Sequence, residues 1–212
     1  MATLHSLKNA LREKVTATSS PIQPLSDSQY SAGFDTLVRG SAAWMTYQDF
    51  IIPQLSLLLA PLFNSRLRIS VLEIGPGPKS VLGHLPDRLR RKVKRYVAFE
   101  PNGLFASRLE EWLSPSPEME SPLPCLESPP GIRRIPFALD DTDTGSHIGN
   151  IGRSDADEKY DVILFCHSLY GMKPKRRFIE RALGMLVEQP EGGMVVIFHR
   201  DGTLNLDGLV CH

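Results

Sequence analysis

The sequence predicts an α/β three-layer sandwich on a mostly parallel sheet, and two observations carry that prediction. Ile69 to Ile74, Arg95 to Phe99, Ile132 to Phe137, Val162 to Cys166 and Met194 to Phe198 are short strand candidates, most of them nearly all apolar. Such runs are buried on both faces, the habit of parallel strands covered by helices. Between several of them the apolar spacing turns helical, and strand–helix alternation is the pattern of this architecture.

The elements follow in order. Residues 1–28 are polar, end in Ser, Pro and Gln, and read as a flexible tail, although Leu4, Leu7, Ala10 and Leu11 have helical spacing. Residues 29–66 read as a helical cap. Phe34, Leu37 and Val38 form one stripe, and after Pro53 the residues Leu55, Leu58, Leu59 and Leu62 form a second. Residues 67–212 hold the sandwich. Pro101 to Leu113 is a helix with Leu104, Phe105, Leu109, Trp112 and Leu113 on one side, and Pro101 suits a first turn. Arg176 to Glu188 is another, with Ile179, Leu183, Leu186 and Val187 at core spacing. Two segments interrupt the alternation. Ser114 to Gly131 holds six prolines and reads as an irregular insertion, and Asp140 to Glu158 as a surface loop.

Composition narrows the function classes. The 212 residues are 42% hydrophobic and 23% charged, enough for a sizeable core. Lys+Arg and Asp+Glu both count 24, and zero net charge argues against a dedicated nucleic-acid binder. Three scattered cysteines, Cys125, Cys166 and Cys211, make no disulfide framework. No apolar run reaches membrane-span length and no signal peptide opens the chain, so a cytoplasmic protein is expected.

The sharpest motif is Val71 to Ser80, VLEIGPGPKS. A buried strand runs straight into Gly75-Pro76-Gly77, where glycines let the backbone turn tightly and approach a ligand. The next strand ends in Glu100, a carboxylate at a strand tip that can accept both ribose hydroxyls of an adenosine group. Being at a tip and outside the core, it is expected to matter little to stability. Glu73 chooses the cofactor. A dinucleotide places its pyrophosphate beside such a turn, and a carboxylate there repels it. The same carboxylate suits S-adenosylmethionine, which carries an ammonium and a sulfonium. A structural turn without ligand is the bland alternative.

Taken in succession, VLEIGPG, VAFEPN, KYDVILFCHSLYGM and GGMVVIFHR resemble the motifs of class I S-adenosylmethionine-dependent methyltransferases. Within that superfamily the chain is most similar to the histamine N-methyltransferase group, through Tyr30 to Phe34, Ser41 to Phe50 and the FCHSLYGM segment. The resemblance implies a Rossmann-like sheet of order 3-2-1-4-5. It implies cofactor contacts from Glu73, Gly75, Pro76, Gly77, Glu100, Leu139, Asp140 and Cys166. It also places Tyr30, Phe34, His167 and Tyr170 toward a small-molecule methyl acceptor. There are departures. Lys79 replaces the third motif glycine, and Ala43 stands where the family's cap glutamate holds the substrate amine, which argues against histamine as substrate. His212 follows Phe198 so closely that the family's C-terminal hairpin is expected to be missing.

Other readings fail on spacing. The histidines show no metal pattern. Ser168 lacks the Gly-x-Ser-x-Gly of a hydrolase elbow, and Pro78-Lys79-Ser80 lacks the spacing of a phosphate loop. The expectation is methyl transfer to a nitrogen or oxygen of a small molecule; a neutral amine acceptor requires no dedicated acid or base, and His167 or Tyr170 could assist a hydroxyl acceptor. The alternative is a truncated, non-catalytic module that binds or regulates. A fifth strand left as an apolar edge is expected to promote self-association.

Overall fold

The computed structural model describes residues 24–40, 43–115, 120–139, 158–188 and 192–199. Five parallel strands form one sheet in the order β3-β2-β1-β4-β5: β1 Ile69–Ile74, β2 Val93–Phe99, β3 Gly131–Arg133, β4 Val162–Cys166 and β5 Met194–Phe198. The order reverses between β1 and β4, the topological switch point of a Rossmann-like sheet. β1, β4 and β5 have the bounds expected from their apolar runs. β3 is shorter and ends at Arg133. Past it, Phe137 leaves the sheet edge and packs its ring against Phe99 and Phe165.

Helices cover both faces. On one, Val71, Tyr96, Ala98, Val162 and Leu164 lie in one core with Leu55, Leu59 and Phe63 of α3 (Ile52–Ser65). α4 (Asp87–Arg90) adds Leu89, and α5 (Gly103–Leu113) adds Leu109 and Leu113. On the other, Leu72, Ile74, Ile163 and Phe165 pack with Ala182 of α6 (Lys175–Gly184) and with Phe137 and Met185.

Ahead of the sheet lie α1 (Asp27–Gly40) and α2 (Ala43–Thr46), the latter passing through a π-helical turn, Tyr47–Ile51, into α3. α1 begins two residues before the expected edge of the cap. It docks on the start of α5. Asp27 Oδ2 accepts from the Gly103 N–H at 2.7 Å, Asn102 Nδ2 donates to the Asp27 carbonyl at 3.3 Å, and Arg108 forks onto the Asp35 carboxylate at 3.1–3.2 Å. A carboxylate at a helix N-terminus also meets the positive end of the dipole.

The structure corrects three helical faces. α3 buries Leu55, Leu59 and Phe63, a strict i, i+4, i+8 line, and leaves Leu58 49% exposed. α1 leaves Leu37 and Val38 exposed, because its contact with α5 runs through Ser31 and Phe34. α6 ends at Gly184, not Glu188. There Leu186 turns into a bridge with Tyr160, fixed by the Val187 N–H donating to the Tyr160 carbonyl at 3.0 Å, and Leu183 is exposed. α5 starts at Gly103, after Pro101, because Asn102 caps it with its Oδ1 on the amides of Leu104 and Phe105 at 3.0 Å each.

The described part of the Pro-rich insertion is irregular, as expected, and is pinned by Leu123 in the core and by Ser121 Oγ donating to the Leu113 carbonyl at 2.6 Å. Of the expected loop Asp140 to Glu158 only Glu158 is described, and it binds Arg95, Arg133 and the Tyr160 hydroxyl. The expected tail and the segment after His199, with the hairpin question, lie outside the described residues.

Burial sets a contrast on α3. Leu59→Ala should cost about 2–4 kcal/mol in urea unfolding, because Leu59 is fully buried in the core beneath the sheet. Leu57→Ala, at a 68% exposed position one turn-face away, should stay within about 0.5 kcal/mol.

Candidate functional site

β1 ends at the switch point in Gly75-Pro76-Gly77. Gly75 has φ +64° and Gly77 φ +72°, both left-handed, which explains the residue type at each. The Gly75 N–H donates to the Phe99 carbonyl at 2.8 Å and the Gly77 N–H to Glu100 Oε2 at 2.9 Å. The two glycines differ in surroundings. A Cβ on Gly75 would stand 2.8 Å from Ser168 Cβ, whereas a Cβ on Gly77 would meet nothing within 4 Å. No long helix follows the turn. A four-residue 3-10 turn, Val81–His84, does, capped by Ser80 Oγ accepting from the Leu82 N–H at 3.1 Å.

Two carboxylates flank the glycines. Glu73 lies on β1 between Ala98 of β2 and Leu164 of β4 and is 1% exposed. The Tyr96 hydroxyl donates to its Oε2 at 2.7 Å, while its Oε1 has no hydrogen-bond partner among the described residues. Burial pushes the Glu73 carboxyl up to about 7; neighbouring Ser80, Tyr96 and the Val81 amide pull it back in part, and the Glu100 charge adds to the rise. Glu100, at the tip of β2, is 4% exposed and holds one backbone amide on each oxygen: Gly77 at 2.9 Å and Asn102 at 3.0 Å. Burial raises its pKa too, against those two amides. Glu100 is therefore part of the fold as well as a candidate ligand, contrary to the expectation that a strand-tip carboxylate matters little to stability.

The third wall is the turn after β4. Cys166 is buried, and His167 has φ +58°, uncommon outside glycine. The His167 N–H donates to the Phe198 carbonyl at 2.9 Å, and its ring stacks on Tyr170 within 2° of parallel, with Nδ1 3.0 Å from the Tyr170 hydroxyl. Tyr47, from the π-helical turn, closes this wall. Its ring meets His167 edge-on at 5.7 Å, its hydroxyl lies 3.7 Å from Cys166 Sγ, and Trp44 stacks on it at 6.1 Å. Burial pushes the Cys166 thiol up to about 12, so it stays neutral and is no nucleophile.

The structure thus brings Glu73, Gly75, Pro76, Gly77, Glu100 and Cys166 to one end of the sheet. The four expected acceptor-side residues separate into two groups. Tyr30 and Phe34 pack edge-on against Phe105 at 5.8 and 5.0 Å, on the α5 side where Glu100 raises the Tyr30 pKa after burial does. His167 and Tyr170 sit on the β4–β5 side. Leu139 is half-buried, and Asp140 lies outside the described residues. Tyr47, Tyr96, Asn102 and Ser168 were not singled out as ligand-site residues by sequence reasoning. The i, i+3 aromatic pair Trp44 and Tyr47 was the only signal for the first. Among the described residues no group of three His, Cys, Asp or Glu can hold a metal, and no helix is long and apolar enough to cross a membrane.

No protein-family model matches the chain, and no curated protein does. Solved structures do. It is similar to the plantazolicin methyltransferase BpumL in complex with a pentazolic desmethylPZN analog and SAH, at 13% identity and TM-score 0.46 over 82% of this chain and 58% of that one. It is similar to the N-methyltransferase NodS from Bradyrhizobium japonicum WM9 (19%, TM-score 0.42, covering 72% and 71%). A SAM-dependent methyltransferase from Thiobacillus denitrificans, in complex with S-adenosyl-L-homocysteine, gives 14% and TM-score 0.38, covering 68% and 47%. The chain spans about half the length of BpumL and of the Thiobacillus protein.

The turn geometry ranks two substitutions. Gly77→Ala should cost about 1–2 kcal/mol, the left-handed penalty alone. Gly75→Ala adds a backbone-anchored collision with Ser168 and should cost at least about 1 kcal/mol more in the same urea titration.

Proposed function

We propose that the chain binds S-adenosylmethionine in the crevice between β1 and β4 and transfers its methyl group to a nitrogen or oxygen of a small molecule. The observation that carries the reading is Glu73, a carboxylate buried at the glycine turn with one oxygen unpartnered. A buried carboxylate in that state calls for a cation or a donor. The rest of the residues fit such a cofactor. Gly77 leaves room for close approach, and each Glu100 oxygen keeps a lone pair for a ribose hydroxyl after accepting its amide.

The same geometry argues against a dinucleotide. The amides of Gly75 and Gly77 are already donated to Phe99 and Glu100, so they are not free to cradle a phosphate. The 3-10 turn that follows offers no helix terminus of the usual kind. Two buried carboxylates complete the mismatch with a pyrophosphate.

The chemistry such a cofactor supplies is a methyl group on a cationic sulfur, open to in-line displacement. The chain's part is binding, alignment and exclusion of water. Glu73 and Glu100 hold the two ends, the Trp44–Tyr47–His167 ring contacts wall off solvent, and neutral Cys166 contributes packing. A neutral amine acceptor needs no base. For a hydroxyl acceptor, His167, bonded to Tyr170, is placed to take the proton. We further place this activity in the cytoplasm, without nucleic-acid or membrane partners, with self-association through β5. We also propose kinship with the histamine N-methyltransferase group, on the sequence motifs alone.

Calorimetry tests the reading. S-adenosylmethionine or its demethylated product should bind, and NAD at least about tenfold more weakly at pH 8; tighter NAD binding overturns it. Binding without methyl transfer to any acceptor would favour the non-catalytic alternative.

The carboxylate adds a pH signature. A cation binds ionised Glu73, so below about 7 the site must shed a proton first. Affinity for the demethylated product should rise about tenfold from pH 6 to pH 8, and flatten in Glu73→Gln. In the unliganded protein the sign is opposite. The folded pKa is above that of the unfolded chain, so stability falls as pH rises from about 4.5 to about 7.

Glu100→Ala should weaken cofactor binding by about 1.5–3 kcal/mol. It should also lower the melting temperature, since two buried amides lose their acceptor. A variant of unchanged affinity would remove Glu100 from the site.

A further inference from the structure

One buried side-chain atom beside the proposed site has no job in the fold. Ser168 Oγ is out of solvent and has no hydrogen-bond partner among the described residues. A buried hydroxyl without a partner is unfavourable, so the backbone around it must hold it there. It does so by a left-handed residue. His167, at φ +58°, is tied to Phe198 through its N–H, and Leu169, 3% exposed, anchors the 3-10 turn on the far side. The turn between them directs Ser168 back onto the end of β1, so closely that a Cβ on Gly75 would stand 2.8 Å from its Cβ and 3.8 Å from its Oγ. Glu73 Oε1, two residues before that glycine, is unpartnered as well. A hydroxyl that can donate and a carboxylate that can only accept therefore border the same glycine.

We infer that Ser168 is a binding residue for the carboxylate of an α-amino-acid group whose ammonium is taken by Glu73. A donor and an anionic acceptor at one glycine turn match the two ends of a zwitterion. This rests on the cofactor reading above and adds to it the residue that reads the methionine carboxylate. Lys79 is exposed, and Arg90 and Arg91 are committed to Pro122, Asp87 and Glu120. Ser168 Oγ thus keeps, beside Gly75, a buried proton still to donate.

The test is Ser168→Ala with three ligands in calorimetry: S-adenosylhomocysteine, decarboxylated S-adenosylmethionine and 5′-methylthioadenosine. The expected result is a loss of about 10- to 100-fold for S-adenosylhomocysteine, the range for a hydrogen bond to a charged group, with the other two unchanged. A loss for S-adenosylhomocysteine less than about fivefold greater than for either carboxylate-free ligand overturns the inference. If wild-type protein binds none of the three, the cofactor reading itself fails; if wild type binds and the variant binds alike, only the role of Ser168 fails. Thermal unfolding without ligand gives a second readout. The hydroxyl has no intramolecular bond to lose, so the melting temperature should hold or rise. A drop of more than about 3 °C would make Ser168 a structural residue and overturn the assignment.

Discussion

Glu100 is the joint on which the candidate site depends. One oxygen holds the Gly77 amide at the end of β1 and the other holds the Asn102 amide at the start of α5. Through Gly77 it fixes the left-handed turn at the end of β1. Through Asn102 it sets the cap of α5, and that cap is the platform on which α1 lands with Asp27 and Ser31. A single buried carboxylate so links two strand ends, a helix and the N-terminal cap. A carboxylate suits that place because its two oxygens can each accept a separate amide, which no hydroxyl or amide side chain does as well.

The cost of this arrangement falls on Glu73. It sits in the same end of the sheet, fully buried, with the Glu100 charge raising its pKa further. Two carboxylates in one dry region repel, and one of them tends to hold its proton. Tyr96 satisfies one Glu73 oxygen, and Tyr47 and Cys166, both kept neutral by burial, add no compensating positive charge. The site is therefore negative in sign, and a ligand that brings a cation relieves the repulsion.

The groups around the switch point come from distant parts of the chain. Trp44 arrives from α2 and stacks on Tyr47, which comes from a π-helical turn that the sequence does not announce and meets His167 of the turn after β4. His167 in turn is tied to the end of β5 and to Tyr170. Tyr30 and Phe34 are held apart from this group, against Phe105 on α5. One wall is aromatic and hydrogen-bonding; the other is aromatic and anchored beside Glu100.

The sequence by itself determined the order of the strands and the meeting of the glycine turn with the next strand tip. β1, β4 and β5 were legible to the residue, because a strand buried on both faces must be an unbroken apolar run. Gly75, Gly77 and Glu100 were legible too, since the strand–turn–strand unit brings a glycine turn and the next strand tip together whatever surrounds them. The helical faces were less so. Phe63 in place of Leu58, and the end of α6 at Gly184, depend on which side of each helix meets the sheet, and several apolar stripes satisfied the spacing equally well. What only the tertiary structure decided is the state of the polar atoms. That Glu100 is engaged on both oxygens, that Glu73 keeps one oxygen unpartnered, and that Ser168 faces Gly75 across a left-handed His167 are facts of contact between segments far apart in the chain. Burial and hydrogen bonding are properties of neighbours in space, and residue order along the chain leaves them open.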